Sequence, residues 1–304
     1  MSRLFISGLT NIETTLAIAG FPLPYAPVHY PFHGIHSSVS GVAVNLALAL
    51  QALGHDIALH SLIGPDLAGA QVKQSLQQAG LALDGLHPGL SATPQSVILY
   101  DPDGKRQIHV DLKECQERAL PDSALASLRH SDMALLCNIN FSRPLLAEAR
   151  RHGIPIACDV HVLWDVHDDY NRDFMRQADI LFCSDEGLNG RQPGDLLREL
   201  ADCYGNALLV MGCGQHGALL YDATRRQYHH APARAPRGVR NTIGAGDALF
   251  SAFIDGWLLH RDARRALDDA VWFAGWKVGA VGAAEGFPER AQWQQLCQGS
   301  HSQA

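Results

Sequence analysis

The stretch Arg240-Asn241-Thr242-Ile243-Gly244-Ala245-Gly246-Asp247-Ala248-Leu249-Phe250 places two glycines and an alanine directly before an acid. Apolar residues then recur at helical spacing as far as His260, which predicts a helix with one apolar face. Asp247 therefore lies near a helix N-terminus, where unpaired N–H groups and the helix dipole favour an anion. The small residues Gly244, Ala245 and Gly246 allow a phosphate to approach the backbone. A carboxylate beside such a cradle suits a base that deprotonates an attacking hydroxyl.

An ordinary loop followed by a first-turn acid explains this stretch equally well when it is taken alone. The stretch also resembles the signature of the ribokinase-like sugar kinases, the phosphofructokinase B type family, which is usually Asp-Thr-x-Gly-Ala-Gly-Asp. Here Asn241 replaces the first acid of that signature. The resemblance implies that Asp247 is the catalytic base and that the backbone from Gly244 to Asp247 stabilises the transferred phosphoryl group. It also implies nucleotide contacts from Asn241 and Thr242.

The composition limits the class of protein. The chain has 304 residues, of which 47% are hydrophobic, and this suits one large α/β domain over residues 1–304. A net charge of -7 without a basic stripe argues against a nucleic-acid partner. Seven scattered cysteines without a Cys-x-x-Cys pair indicate reduced thiols, and the lack of a long apolar run predicts no membrane span. We therefore expect a cytoplasmic protein.

Two polar residues near the N-terminus are candidates for binding the hydroxyl groups of an acceptor. Leu4 to Gly8 is typical of a buried strand, and Asn11 and Glu13 follow its carboxyl end, where open α/β sheets bind ligands. A polar turn after a strand is the alternative interpretation. The resembled family usually has Asn and Asp in this run, and the resemblance implies that Glu13 holds sugar hydroxyls.

A second acceptor-binding segment follows at residues 40–54. The run that begins at Ser40 predicts a helix that ends at Gly54. The family has Gly-Gly-x-x-x-Asn-x-Ala here, which the chain matches at Gly41 and Asn45 and departs from at Ser40. The resemblance implies that a sugar approaches the backbone at Gly41. Asn45, one turn later, would face the same site.

Segments of about 14–39 and 95–112 interrupt the alternation of strands and helices. Four prolines make a helix unlikely in the first segment, and two strand-like runs flank an Asp-Gly turn in the second. Together they predict a small β-lid that stands off the main sheet. In the resembled family such a lid covers the sugar and often forms a dimer, which implies a homodimer here.

The second half of the chain returns to alternating strands and helices, which predicts a parallel sheet with right-handed crossovers. The fold class expected for the whole chain is therefore α/β, with a three-layer ribokinase-like arrangement. The strand predictions are Met133–Cys137, Ile154–Cys158, Ile180–Cys183 and Ala207–Met211. The helix predictions are Arg143–His152, Tyr170–Gln177, Gly194–Cys203 and a continuous helical run from Ala263 to Ala284.

Residues 178–187 resemble the family's Ala-Asp-x-x-x-x-Asn-x-x-Glu motif, whose Asn and Glu help to hold Mg²⁺ and phosphates. Ser184 replaces the Asn, and Gly187 replaces the Glu. Glu186 is then the candidate metal ligand, acting through water, because Mg²⁺ usually keeps several waters. An acid at a helix start is an equally good interpretation of Glu186.

The run Gly212-Cys213-Gly214-Gln215-His216-Gly217 matches the dinucleotide fingerprint Gly-x-Gly-x-x-Gly. A strand-like run follows it and no acid lies about 20 residues on, so a dehydrogenase is excluded. The run instead resembles the family's Thr-x-Gly-x-x-Gly hairpin turn near the nucleotide. The resemblance implies nucleotide contacts from Gly212, Gly214, Gly217 and, in a later helix, Ala274.

These patterns predict an ATP-dependent kinase that phosphorylates a hydroxymethyl group of a small sugar. ATP and Mg²⁺ are the implied cofactors, and a monovalent cation is left open. A nucleoside kinase of the same fold is one alternative, with aromatic residues of the lid stacking on the base. A non-catalytic nucleotide- or sugar-binding regulator is another, motivated by the departures at Asn241, Gly187 and Ser40. The aromatic candidates, with a neighbouring histidine, are Tyr25, Tyr30, Phe32 and His33.

Overall fold

The first strand lies in the interior because its side chains are apolar on both faces. The computed structural model describes residues 1–301, with side chains as far as residue 297. Leu4, Phe5 and Ile6 are fully buried, as expected for a parallel strand covered by helices on both sides. The strands are β1 (Arg3–Ser7), β2 (Asn11–Ala17), β3 (Ile35–Ser40), β4 (Asp56–Ile63), β5 (Leu86–Pro88), β6 (Gln95–Tyr100), β7 (Arg106–Asp111), β8 (Met133–Leu136), β9 (Ile156–Val162), β10 (Ile180–Ser184), β11 (Leu208–Gly212), β12 (Ala218–Asp222) and β13 (Gln227–Ala231).

Nine of these strands form the main sheet, in the order β13-β12-β11-β10-β9-β8-β1-β4-β5. Seven neighbouring strands of this sheet run parallel to one another, namely β11, β10, β9, β8, β1, β4 and β5. The last two, β12 and β13, are antiparallel. The prediction of a mostly parallel sheet is therefore confirmed. Parallel order brings the carboxyl ends of the strands to one edge, where ligands bind in such sheets.

Helices cover both faces of the main sheet and give the three layers predicted from the sequence. One apolar core joins the sheet to α1, α2, α7, α8 and α9, and a second joins it to the four helices between α2 and α7. Phe182 packs on Phe250 and Phe253, with ring centroids 4.4 Å and 5.4 Å apart, which anchors α7 against the sheet. The helices are α1 (Val42–Ala52), α2 (Leu67–Gln78), α3 (Asp122–Leu128), α4 (Arg143–Arg151), α5 (Arg172–Gln177), α6 (Pro193–Tyr204), α7 (Ala245–His260), α8 (Ala263–Lys277) and α9 (Arg290–His301).

The remaining four strands form a second sheet in the order β3-β2-β6-β7. The predicted hairpin is present, because β6 and β7 pair in antiparallel fashion around the Asp-Gly turn. Side chains alternate along β2, with Asn11, Glu13 and Thr15 buried and Ile12 and Thr14 partly exposed. One face of the second sheet is therefore directed at the protein interior.

Three sequence predictions need correction. The helical run expected from Ala263 to Ala284 ends at Lys277, because the N–H groups of Gly279 and Ala280 donate to carbonyls three residues back, as in turns, and not four residues back, as in an α-helix. Asn11 and Glu13 lie within β2, not in a turn, because the chain starts a new strand immediately after β1. The helix expected to open at Ser40 begins at Val42, and Ser40 ends β3.

Candidate active site

Asp247 lies in the first turn of α7, as the signature predicts. The residue that precedes the helix, Gly244, has φ +76 and is in the left-handed region. A Cβ at Gly244 would lie 2.7 Å from the carbonyl oxygen of Ala283, so both the backbone conformation and the packing require glycine. This turn directs the start of α7 at the edge where the main and second sheets meet.

The first turn of α7 offers backbone donors to an anion. The N–H of Ala245 donates to the carbonyl of Thr242 at 3.1 Å, so this amide is already engaged. Gly246 and Asp247 come next, and helix geometry gives their N–H groups no intrahelical acceptor. A Cβ at Gly246 would meet no atom within 4 Å, so there is open space beside these amides. The arrangement suits a phosphoryl group.

Asn241, the departure from the family signature, fastens the loop before α7. Its Nδ2 donates to the carbonyl of Val281 at 3.0 Å, and its Oδ1 accepts from the N–H of Ile243 at 2.9 Å. An aspartate can accept the second bond but cannot donate the first. The amide therefore ties two loops together through a hydrogen bond that an aspartate could not donate.

A chain of hydrogen bonds joins Glu13 to Asp247 across the site. Ser40 Oγ lies 3.2 Å from both Glu13 Oε2 and Asn45 Oδ1. Asn45 Nδ2 donates to Asp247 Oδ2 at 2.7 Å. Gly41, which permits this approach of β3 and α1, has φ +102, and a Cβ there would lie 2.4 Å from the Leu9 carbonyl oxygen. The structure thus brings four of the predicted residues together.

Two buried oxygen atoms beside this chain lack hydrogen-bond partners. They are Oδ1 of Asn11 and Oε1 of Glu13. The other ends of these side chains are occupied, because Asn11 Nδ2 donates to Ser96 Oγ at 2.8 Å and Glu13 accepts from Ser40. A buried acceptor without a partner costs about 1–3 kcal/mol. Hydroxyl groups of a ligand would satisfy both atoms.

The two carboxyl groups of the site are harder to ionise than usual. Burial raises the pKa of Asp247, against the opposing effect of the Asn45 hydrogen bond. Burial also raises the pKa of Glu13, with the Ser40 hydrogen bond opposing it and the Asp247 charge adding to it. A carboxylate whose pKa is raised is a better proton acceptor, as a general base requires.

Three residues near Asp247 were not singled out as site residues from the sequence. Asp159 and His161 act electrostatically on Asp247, and they lie on β9, which extends to Val162, beyond the predicted end at Cys158. His161 has φ +56, and its N–H donates to Asp159 Oδ1 at 2.8 Å. The third residue is Lys277, whose side chain is fully buried. A polar pair at the end of a buried strand is the signal that could have identified the first two.

Ser184 and the run Gly212–Gly217, which were predicted to bind the nucleotide, lie at the same edge of the main sheet. Ser184 ends β10, and its Oγ accepts from the N–H of Glu186 at 3.3 Å. The run from Gly212 to Gly217 forms the expected hairpin turn between β11 and β12. A Cβ at Gly217 would lie 2.0 Å from the Ala231 carbonyl oxygen, so this glycine is required by packing. Ala274 is half-buried on α8.

Glu186, the candidate metal ligand, forms an ion pair with Arg106 of the second sheet, with Nη2 and Oε1 3.0 Å apart. Within the part of the chain that the structure describes, no group of three or more His, Cys, Asp or Glu residues is arranged to hold a metal ion. None of the described helices is both long enough and apolar enough to cross a membrane.

The known proteins that this chain resembles match it over most of its length. The sequence model of the family described as "pfkB family carbohydrate kinase" matches residues 1–290. Fructosamine kinase FrlD of Bacillus subtilis is 24% identical over 83% of this chain and 88% of its own. An ATP-dependent ribose-1-phosphate kinase of Halopiger xanaduensis is 27% identical over 89% and 90%. The solved structure of the microbiome-derived acarbose kinase Mak1 superposes with a TM-score of 0.86 at 23% identity, covering 98% of this chain and 99% of that one.

Proposed function

Because the chain belongs to the pfkB family of carbohydrate kinases, which transfer a phosphoryl group from ATP, we propose that it phosphorylates a hydroxymethyl group of a small sugar. The observation that carries this proposal is the position of Asp247. Its carboxylate lies in the first turn of α7 and is connected through Asn45 and Ser40 to Glu13, which carries one of the two unpartnered oxygens. A hydroxyl held by those oxygens would be beside both the base and the phosphoryl-binding amides. The kinase matches favour this enzyme over a non-catalytic regulator.

In the proposed reaction, Asp247 accepts the proton of the acceptor hydroxyl as its oxygen attacks the γ-phosphorus. The new P–O bond forms while the bond to the departing ADP breaks. Asn45 keeps the Asp247 carboxylate in position through its 2.7 Å hydrogen bond. The N–H groups of Gly246 and Asp247 stabilise the negative charge on the transferred phosphoryl oxygens.

The residues present fit ATP phosphates at the start of α7, since the space beside Gly246 is open. Asn241, Thr242, Ser184, Gly212, Gly214, Gly217 and Ala274 are the proposed nucleotide-binding residues. Mg²⁺ is proposed to be held mainly by phosphate oxygens and water, because the described residues provide no dedicated cluster of ligands. When bound, it would neutralise charge on the β- and γ-phosphates. Glu186 would bind Mg²⁺ only after its ion pair with Arg106 is broken.

The acceptor is held, in this proposal, by Asn11, Glu13, Gly41 and Asn45. We expect Glu13→Gln to raise the acceptor KM by about 10- to 150-fold, because hydrogen bonds to a charged group contribute about 1.5–3 kcal/mol. The KM for ATP should stay unchanged. Thr14→Val is the matched control, since Thr14 lies on the opposite face of β2. Steady-state kinetics check this prediction, and an unchanged acceptor KM in Glu13→Gln would contradict it.

We propose that the second sheet acts as a lid over the acceptor and excludes water from the phosphoryl transfer. Besides the Arg106–Glu186 pair, His36 Nε2 lies 3.4 Å from Glu285 Oε1, so polar side chains of this sheet approach the main body at two places. A nucleoside is the second candidate acceptor. The observation that favours it is an exposed aromatic pair near β3, Tyr30 and Phe32, with stacked rings 6.3 Å apart.

The second sheet is also the proposed surface of a homodimer. Val110 pairs with Ser96 and Ile108 with Ile98, so both lie on the same face as the buried Ser96 and Ile98. Yet Ile108 is 50% exposed and Val110 is 45% exposed. The outer strand therefore extends beyond its own protein body and leaves an apolar edge that a second copy can cover.

We expect Ile108→Glu to convert a dimer into a monomer in solution, because a charge at the edge of β7 would be buried against the partner. Leu259→Glu is the matched control, because Leu259 is similarly exposed but lies at the end of α7. Light scattering coupled to size exclusion measures the mass. A wild-type protein that is monomeric at micromolar concentration, or an Ile108→Glu variant that stays dimeric, would refute the proposed interface.

The function itself is tested by ADP release with Mg-ATP over a mixed panel of sugars and nucleosides. Turnover with small sugars supports the proposal, and turnover restricted to nucleosides supports the second candidate. Absence of turnover with every compound, in a protein that still binds ATP, would count against both acceptor classes.

A further inference from the structure

The ammonium group of Lys277 lies at the end of α8 and has no part in the reaction described above. The side chain is fully buried, which is rare for lysine. Its Nζ donates to the carbonyl of Ile243, the residue immediately before Gly244. A buried positive charge is therefore fixed to the loop that leads into the phosphoryl-binding turn.

Two loops, residues 240–244 and residues 278–283, meet at this ammonium. Carbonyl groups of both loops accept hydrogen bonds where the loops are in contact. The N–H groups of Arg240 and Asn241 donate to the carbonyl of Val278 at 2.8 Å and 3.2 Å. Asn241 also donates to the carbonyl of Val281. Lys277 precedes the second loop directly, so its side chain crosses the junction of residues 240–244 with residues 278–283.

Negative charges surround the ammonium. Burial lowers the pKa of Lys277 to about 8, and Asp247, Glu13 and Glu285 oppose that effect with their charges. Asp247 and Glu13 are the two carboxyl groups of the site, and both would repel a triphosphate when ionised. A fixed cation close to them offsets part of that repulsion.

We propose that the Lys277 ammonium is a built-in monovalent cation of the kinase site, which holds the loop ending at Gly244 and offsets the charge of Asp247 and Glu13. An enzyme with such a group needs no added potassium or ammonium ion. The inference rests on the function proposed above, because it assigns the ammonium to the same site.

Removal of the side chain provides the test. Lys277→Ala would leave a space next to the Ile243 carbonyl, and small monovalent cations bind well to carbonyl oxygens. Lys277→Met would remove the charge but fill the space. Lys73→Ala is the control, because Lys73 is exposed on α2. Each protein is assayed for turnover and for thermal unfolding in choline, sodium, potassium and ammonium chloride at equal ionic strength.

We expect wild type and Lys73→Ala to be equally active in all four salts. Lys277→Ala should lose about 10- to 100-fold in kcat in choline and recover in potassium or ammonium, because a diffusible cation replaces the missing electrostatic stabilisation. Its Tm should rise with the same ions, as for any ligand that binds the folded state. Lys277→Met should lose activity without recovery.

Several outcomes would overturn the inference. Wild-type activity that requires potassium would show that Lys277 does not supply the cation. Full activity of Lys277→Ala in choline would show that no cation is needed there. A Lys277→Ala variant whose Tm does not change when potassium or ammonium replaces choline would also refute the inference. A failure of this inference can be distinguished from a failure of the proposed function, because the effect of the cations on Tm is measured without turnover. The response of the wild-type protein to each salt provides the reference.

Discussion

Replacement of Asp247 by Asn is expected to lower kcat by about 10²–10⁴, the usual contribution of a general base. The amide has nearly the same shape but cannot take the proton from the acceptor hydroxyl. ATP affinity should change little, because the phosphates are proposed to bind backbone N–H groups of α7. Steady-state ADP release and a direct ATP-binding titration measure the two quantities. Full turnover in the variant would show that Asp247 is not the general base.

The stability of the same variant provides its control. Burial raises the pKa of Asp247, so its ionisation costs folding free energy. Below the unfolded pKa the carboxyl is protonated in both states and the cost is absent; as the pH rises through the folded pKa, the cost reaches its full value. The Tm of Asp247→Asn should therefore equal or exceed that of wild type, with a difference that grows as the pH rises above the unfolded pKa, about 4, and levels off above the raised folded pKa. A large drop in Tm would attribute the loss of turnover to misfolding.

Gly246→Ala is expected to lower kcat/KM for ATP by about 10²-fold, comparable to the loss of one anion-hole donor. The added methyl group projects into the open space beside the N–H groups of Gly246 and Asp247, where the phosphoryl group is proposed to bind. No atom lies within 4 Å of this position, so the folded protein accepts the change. Because Gly246 has no positive φ, alanine should even stabilise the protein by about 0.4–1 kcal/mol, by reducing the conformational freedom of the unfolded chain.

The matched control for this second prediction is Gly20→Ala. Gly20 also has open space around its Cβ position and no positive φ, but it lies in the loop that follows β2. Kinetics and thermal unfolding are measured on both variants. Equal activity of Gly246→Ala and Gly20→Ala would show that phosphate does not approach the backbone at Gly246.

The start of α7 could be predicted because local rules determine it. Small residues, an acid and an apolar helical period all lie within one short stretch, so no distant contact is needed to recognise them. Asn45 could likewise be related to Gly41, because helix geometry fixes where a residue one turn later points. The structure adds that Asn45 reaches Asp247, a contact across 202 residues that no local pattern contains.

The rest of the candidate site depends on tertiary structure. Lysine is usually exposed, so the sequence gives no reason to bury Lys277, and its position follows from the end of α8 against the Ile243 loop. Ser40 was noted as a departure from the family, but its bridge between Glu13 and Asn45 depends on the pairing of β2 with β3. Asp159 and His161 reach the site because β9 is longer than its apolar run.

The alternation of side chains along β2 divides its positions into two groups, in which mutations have different consequences. Odd-numbered positions from Asn11 to Thr15 face inward, and even-numbered positions face away from the site. Mutations at the odd positions can change which sugar is accepted without altering the outer surface, and mutations at the even positions can change that surface without altering the sugar. The proposed dimer residues Ile108 and Val110 lie on the same face of the second sheet as Glu13 and Thr15. Changes on that face can therefore alter substrate preference and self-association together, whereas the even-numbered face can vary without affecting either.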